Sequence, residues 1–231
     1  MGRKLSRLTL DSLEDLPEDC ASCVFWELDA VRRGQVRGHE AEEKAAWLSY
    51  VLREWGSVGQ VLYVDDEYAG HAIWAPAVFL PGSEGFATAP VSPDAVVLAT
   101  MHIDPRLRHA GLGRVLIQTM ARDLIRRGGI RAVEAFGDTR NHRGPWSSCV
   151  LPADFLLAVG FATHRAHATY PRMRMELRNA VTWRSEIEHA LSKLVPRPRR
   201  VPGVTAPGHG RASVPMQRSP RSDQQRPHAA H

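Results

Sequence analysis

The run Arg108-His109-Ala110-Gly111-Leu112-Gly113 constrains the fold more than any other part of the chain. It lies between an apolar, strand-like run (Ala95 to Ile103) and a strongly helical segment (Arg114 to Arg127). Strand, glycine-bearing loop and helix in that order turn several backbone N–H groups toward one point. There the unpaired donors of the first helical turn meet the positive end of the helix dipole, which suits a diphosphate. The two glycines allow positive φ and let a ligand approach backbone with no Cβ in the way. A chain built like this is expected to hold a phosphate-bearing cofactor.

Spacing narrows the choice of cofactor. Gly111-x-Gly113 with Glu134 twenty-one residues later has the outline of a dinucleotide fingerprint. Leu116, however, stands where the third glycine belongs, and Asp104 to Ala110 separate the strand from the first glycine, where a dinucleotide turn is tight. Only one strand-helix-strand unit of this kind is visible. A P-loop fits less well, because no Gly-Lys-Ser/Thr follows.

Arg108, Gly111 and Gly113 instead match Gln/Arg-x-x-Gly-x-Gly/Ala, so the run resembles the acetyl-CoA signature of the GNAT acyltransferase superfamily. Ile103-Asp104-Pro105, the long following helix and Gly160-Phe161 near the domain's end carry the likeness further, over roughly Leu5 to Leu177. The resemblance implies an α/β (α+β) fold with a mixed central sheet flanked by helices, using acetyl-CoA as co-substrate. Backbone N–H groups of His109, Ala110, Gly111, Leu112, Gly113 and Arg114 would cradle the pyrophosphate, and backbone near Met101, His102 and Ile103 would pair with the pantetheine amides. Arg114 is either a further phosphate contact or the first member of a solvated stripe with Gln118, Arg122 and Arg126.

The implied chemistry is acyl transfer to an amine, either a small molecule or a peptide. A lysine-like amine must first lose a proton, at about 4–5 kcal/mol at pH 7. Such enzymes use a base or a desolvated pocket, plus an acid for the leaving thiolate. The family often places a tyrosine four residues before Gly-Phe and an asparagine seven residues earlier; here those places hold Leu156 and, roughly, Cys149. The replacement candidates are His102 on the central strand, Glu134 on the next strand, Tyr170 between the last two strands, and Cys149 in a loop with His142 and Trp146. A catalytically weak acyl-CoA sensor is the alternative.

Cys20-Ala-Ser-Cys23 reads as two buried thiols, a redox pair or part of a metal site, and no metal ligand set is assigned from the sequence. If the N-terminal segment packs over the acceptor side, Cys20, Cys23 and Cys149 meet there. Trp26, Trp47, Trp74 and Trp146 either line an acceptor pocket or fill a core. Three cysteines make no disulfide framework.

Apolar residues make up 43% of the 231, enough for a real core, but no run approaches the ~18–20 residues that span a bilayer. No apolar stretch follows the basic N-terminus, so the expectation is a cytoplasmic protein that does not meet a membrane. The net charge of +5 hides a division: Pro196 to His231 carry seven arginines and one aspartate, leaving the rest near −1. Residues 1–180 are read as the GNAT-like domain, 181–195 as an amphipathic helix, and 196–231 as a disordered Pro/Arg-rich tail. The tail is a candidate for weak polyanion binding but has no aromatic residue to stack on bases. A homodimer is left open.

Pattern places strands at Leu5 to Leu10, Gln60 to Val64, Gly70 to Ala75, Ala95 to Ile103, Ile130 to Phe136, Ala162 to Thr169 and Arg172 to Leu177. Helices are expected in pieces over Asp11 to Gly34, then at His39 to Trp55, Arg114 to Arg127 and Pro152 to Val159.

Overall fold

Thr9 decides where the first strand stops. The computed structural model describes residues 2–140 and 149–178, and within them β1 is Arg3–Arg7, not Leu5 to Leu10. Thr9 Oγ1 accepts the Ser12 N–H at 3.3 Å while Ser12 Oγ accepts the Thr9 N–H at 2.8 Å. That reciprocal cap satisfies two orphan donors and starts a helix, so Leu10 opens α1 (Leu10–Leu13) and Leu8 turns into the core.

The helical pieces expected before Gly34 are α1, α2 (Glu18–Ala21) and α3 (Ala30–Gln35), and α4 (Glu40–Glu54) follows. β2 (Gly59–Val64) and β3 (Glu67–Ala75) form the expected hairpin. Asp65 and Asp66 close it at φ 51° and 64°, the two-residue turn whose twist matches paired strands. The proline-rich stretch after β3 contains two 3₁₀ turns, Ala77–Phe79 and Pro81–Gly85. Then come β4 (Ala95–Ile103), α5 (Leu112–Arg127), β5 (Ala132–Asp138), β6 (Leu151–Pro152), α6 (Ala153–Ala158), β7 (Ala162–Arg165) and β8 (Arg172–Glu176). The C-terminal helix and tail read from the sequence, and His142 and Trp146, lie outside the described residues.

The strands form one mixed sheet in the order β1-β2-β3-β4-β5-β8-β7, with β6 attached to β5. β4 and β5 are parallel, as are β5 and β6; every other pair is antiparallel. Neighbouring residues fall into different apolar clusters, as the pleat requires. Leu62, Trp74, Leu98 and Val133 pack with Leu116, Met120 and Leu124 of α5. Val61, Ile73, Val97 and Phe136 pack with Trp26 and with Trp47, Leu48 and Val51 of α4. Three of the tryptophans are therefore core. Trp26 stacks on Phe86 and Phe136 at 5.3 and 5.9 Å.

Arg127 closes the far end of α5, with its guanidinium 4.0 Å over the Trp55 ring and donating to the Ser57 carbonyl at 2.8 Å. Under α4, Lys44 is paired with Glu27, both buried, and also donates to the Cys23 carbonyl at 2.9 Å. Among the described residues no helix is long and apolar enough to cross a membrane.

A buried pair costs little while both partners are present and much when one is removed. Lys44→Met is therefore expected to lose about 3–5 kcal/mol in urea unfolding, and adding Glu27→Gln should recover part of it. Equal losses in the single and double variants would show that the pair is not coupled.

Candidate active site

β4 and β5 pair only at Ala95↔Ala132, Val96↔Val133 and Val97↔Glu134. β4 then runs on to Ile103, still paired on its other edge with β3 as far as Gly70↔Ile103. β5 runs on to Asp138, where Gly137↔Leu151 and Asp138↔Pro152 join it to β6. On the β8 side, Gly137 N–H already donates to the Pro171 carbonyl at 2.9 Å. A strand has only two edges, so β6 lies on the one facing β4 and keeps the strands apart. The sheet thus splits at Val97, leaving the β4 edge from Leu98 to Ile103 toward the gap. An extended ligand with amide groups can dock on such an edge as an extra strand.

The mouth of the gap is the N-terminus of α5. The helix begins at Leu112, two residues before the start read from its pattern, because Gly111 caps it at φ 76°. His109 is also left-handed, at φ 65°. The loop is anchored behind by Asp104, whose N–H donates to the Ala69 carbonyl at 3.0 Å and whose carboxylate pairs with Arg106 at 2.7 Å. Hydrogen bonds from the Arg106 side chain and backbone hold that carboxyl down to about 2.

The two glycines serve different needs. A Cβ on Gly111 would meet nothing within 4 Å, so the constraint there is its positive φ and not space. A Cβ on Gly113 would lie 3.0 Å from the Phe155 ring and 3.6 Å from Met101 Cε. That glycine lets α5 close onto α6 and β4. Arg114 donates to the Ala158 carbonyl at 3.0 Å, tying the same turn to α6.

His102 reaches the opposite side of the sheet through a bulge in β4. The partners of Ile73 and Trp74 are Thr100 and Leu98, so Ala99 is the extra residue. Parity changes there: Val96 and Leu98 pack with α5, and after the bulge so do Met101 and Ile103. His102 therefore faces the N-terminal helices, directly across from His71. Tyr68 Oη lies 2.7 Å from His71 Nδ1 and 3.0 Å from His102 Nδ1, with the His71 and His102 rings stacked at 5.9 Å. Cys20 of α2 completes the group, and its Sγ and one ring nitrogen from each histidine lie within 4.8 Å of one another.

Burial sets the protonation of this cluster. It pulls His71 down to about 3, with His102 and Lys44 adding to the effect. Burial, and then Arg108, also pulls His102 below the ordinary imidazole value. Burial raises Tyr68 well above a normal phenol and raises the Cys20 thiol. At neutral pH the cluster is uncharged: two imidazoles, a phenol and a thiol.

The other candidates are placed differently. Glu134 is buried in β5, accepting the Ser92 N–H at 3.1 Å and pairing with Arg172 and Arg174 at 3.1 and 3.0 Å. Burial raises its carboxyl, but Ser92 and Arg174 outweigh that and leave it below the usual carboxylate value. Its oxygens are engaged in holding β5 to β8. Tyr170 Oη accepts a hydrogen bond from Arg140, and its ring packs edge-on against Phe86 at 5.6 Å.

Cys149 Sγ lies 3.8 Å from Cys23 Sγ, and the Cys149 carbonyl accepts the Trp26 indole N–H at 2.9 Å. The hydrogen bond to Cys149, with burial, pushes the Cys23 thiol far up. Leu156, at the place of the expected tyrosine, is buried in the core. Tyr68, His71 and the buried carboxylate of Asp138 were not singled out in the sequence; no motif marks them, and only the fold brings them to this face.

A mixed sheet split between two parallel strands, with a glycine-opened helix N-terminus at the split, defines an acetyltransferase-type fold. The chain belongs to the acetyltransferase (GNAT) family, whose model matches residues 10–144. No curated protein matches it by sequence. Among solved structures, the loading GNATL domain of CurA from Lyngbya majuscula is 13% identical, with a TM-score of 0.50 over 78% of this chain and 100% of that one. The acetyltransferase AAC(6')-Ib, solved with paromomycin and acetyl-CoA, is 16% identical with a TM-score of 0.50, covering 79% of this chain and 97% of its own. The same enzyme with coenzyme A and kanamycin gives 16% and 0.50 over 78% and 96%. At these identities the likeness is one of fold.

The glycines separate in mutation. Gly111→Ala should cost about 1–2 kcal/mol from the left-handed backbone, partly recovered in Gly111→Asn. Gly113→Ala should cost about 1–3 kcal/mol from overpacking, relieved by Phe155→Leu and not by Asn. Urea unfolding of these five variants checks this; recovery of Gly113→Asn to wild-type stability would contradict it.

Proposed function

We propose that the chain is an acyl-CoA-dependent N-acyltransferase, moving an acetyl group from acetyl-CoA directly to an amine acceptor in a ternary complex. The observation that carries this is the split after Val97, which joins the α5 N-terminus to the neutral His102 cluster through one open strand edge. The N–H groups of His109 to Arg114 would take the pyrophosphate, and the backbone of Met101 to Ile103 the pantetheine amides. The co-substrate supplies an activated thioester; the residues of this chain supply position and proton transfer.

His102 is the proposed base. Its lowered pKa leaves a free lone pair at neutral pH, ready to take the proton that the acceptor ammonium must lose. Tyr68 fixes the ring through Nδ1, and its raised pKa keeps the hydroxyl protonated as a proton donor in the same cluster. Tyr170 is the second candidate for that donor, engaged here with Arg140. Asp138, at the end of β5, has one carboxylate oxygen buried with no hydrogen-bond partner among the described residues and suits an incoming ammonium. Leu156 in place of a tyrosine favours a second reading, an acyl-CoA-binding sensor with little turnover. A cytoplasmic site of action belongs to the same proposal.

The test is release of free CoA thiol by the full chain with acetyl-CoA and a panel of aminoglycosides, polyamines and peptide amines. Acceptor-dependent release is expected, with kcat falling about 10²–10⁴-fold in His102→Gln and the KM for acetyl-CoA little changed. Binding without release under every acceptor would favour the sensor.

The pH profile follows from the sign of the shift. The neutral, active form of His102 exists above its pKa, and that pKa lies below the ordinary imidazole value. The wild-type acid limb should therefore fall below the normal histidine range and vanish in His102→Gln. A limb that persists unchanged in the variant would remove His102 from the role.

A further inference from the structure

Cys20, His71 and His102 meet on the acceptor side of the sheet, and the acyl-transfer reading uses only the last of them. Their ligand atoms, one sulfur and two ring nitrogens, lie within 4.8 Å of one another. One thiol with two imidazoles is a donor set for zinc and its neighbours, and a poor one for magnesium or calcium, which take oxygen ligands.

His71 supplies an independent reason to expect a ligand. It is fully buried, and its Nε2 has no hydrogen-bond partner among the described residues. An orphaned buried polar atom costs about 1–3 kcal/mol, which a ring evolved only to pack would avoid. The second layer is already built. Tyr68 Oη is within reach of Nδ1 on both rings and can accept an N–H from each, leaving both Nε2 atoms as lone-pair donors. Histidines that bind a metal are commonly held this way through their other nitrogen.

The ligands also stand on ordered elements, with His71 and His102 directly opposite across β3 and β4 and Cys20 presented by α2. Lys44, the cation that bears on both Cys20 and His71, is paired with Glu27 and adds little net charge.

We infer that Cys20, His71 and His102 form a binding site for a zinc-class divalent cation, with the fourth position open to water. On binding, the Cys20 S–H bond breaks, the proton leaves to solvent, and the sulfur lone pair forms the bond to the metal; no electron is transferred. Because the metal would occupy the lone pair of His102, it would also block the proposed base. That consequence rests on the acyl-transfer reading, whereas the site itself does not.

The test is a titration of the reduced, chelator-treated full chain with Co²⁺ followed by Zn²⁺. One equivalent of cobalt should produce thiolate-to-metal charge-transfer absorption, and zinc should remove it. Cys20→Ser should abolish that absorption, His71→Gln should weaken cobalt binding by more than about 10-fold, and Cys149→Ser should leave the absorption in place. Cooperative urea unfolding of each variant shows that it is folded.

No charge-transfer absorption in the wild type, full absorption in Cys20→Ser, or loss only in Cys149→Ser would each overturn the ligand set. Transfer activity without metal binding would sink the site and spare the enzyme. Metal binding without transfer would do the reverse.

Discussion

The acyl-transfer reading of this chain depends on β4 and β5 parting after Val97. Had their ladder continued, the β4 edge would be buried in sheet hydrogen bonds and the α5 N-terminus would face a closed wall. Instead the pairing stops after three positions, and β6 fills the β5 edge farther along. The unpaired backbone of β4 and the orphan donors of α5 then meet at one place. Each is costly if buried without a partner, and each would be satisfied by the extended, phosphate-bearing ligand proposed here. Gly113 keeps helix and strand close enough for a single ligand to reach both.

The opposite face has a different character. There, burial keeps a phenol, two imidazoles and a thiol uncharged around His102. A neutral imidazole can accept a proton, which is what the proposed acyl transfer asks of His102. The bulge at Ala99 links the two faces. It turns His102 toward the N-terminal helices while Met101 and Ile103 stay against the α5 side.

The α5 end of this arrangement was legible because it is local. Strand, glycines and helix follow one another within about thirty residues, and Gly111 and Gly113 fall where the structure needs a left-handed cap and a close approach. The His102 end was not. Tyr68 and His71 lie some thirty residues from His102 in sequence and become its neighbours only through strand register. The engagement of the candidate Glu134 was hidden because its partners, Arg172 and Arg174, arrive on the distant β8. Periodicity ran the first strand on to Leu10, but the Thr9–Ser12 cap takes that leucine into a helix. Of the conditional meeting of Cys20, Cys23 and Cys149, the contact seen is Cys23 with Cys149 at 3.8 Å, while Cys20 groups with His71 and His102.

The most direct measurement is thermal unfolding of the full chain with acetyl-CoA and, separately, with NAD. A ligand held at about 100 times its Kd adds about 2.7 kcal/mol of stability. Acetyl-CoA should raise the melting temperature by several degrees and NAD should not, because the split offers one strand edge and one helix terminus rather than a paired dinucleotide fold. An unchanged melting temperature with acetyl-CoA, or an equal rise with NAD, would contradict the reading of the cleft.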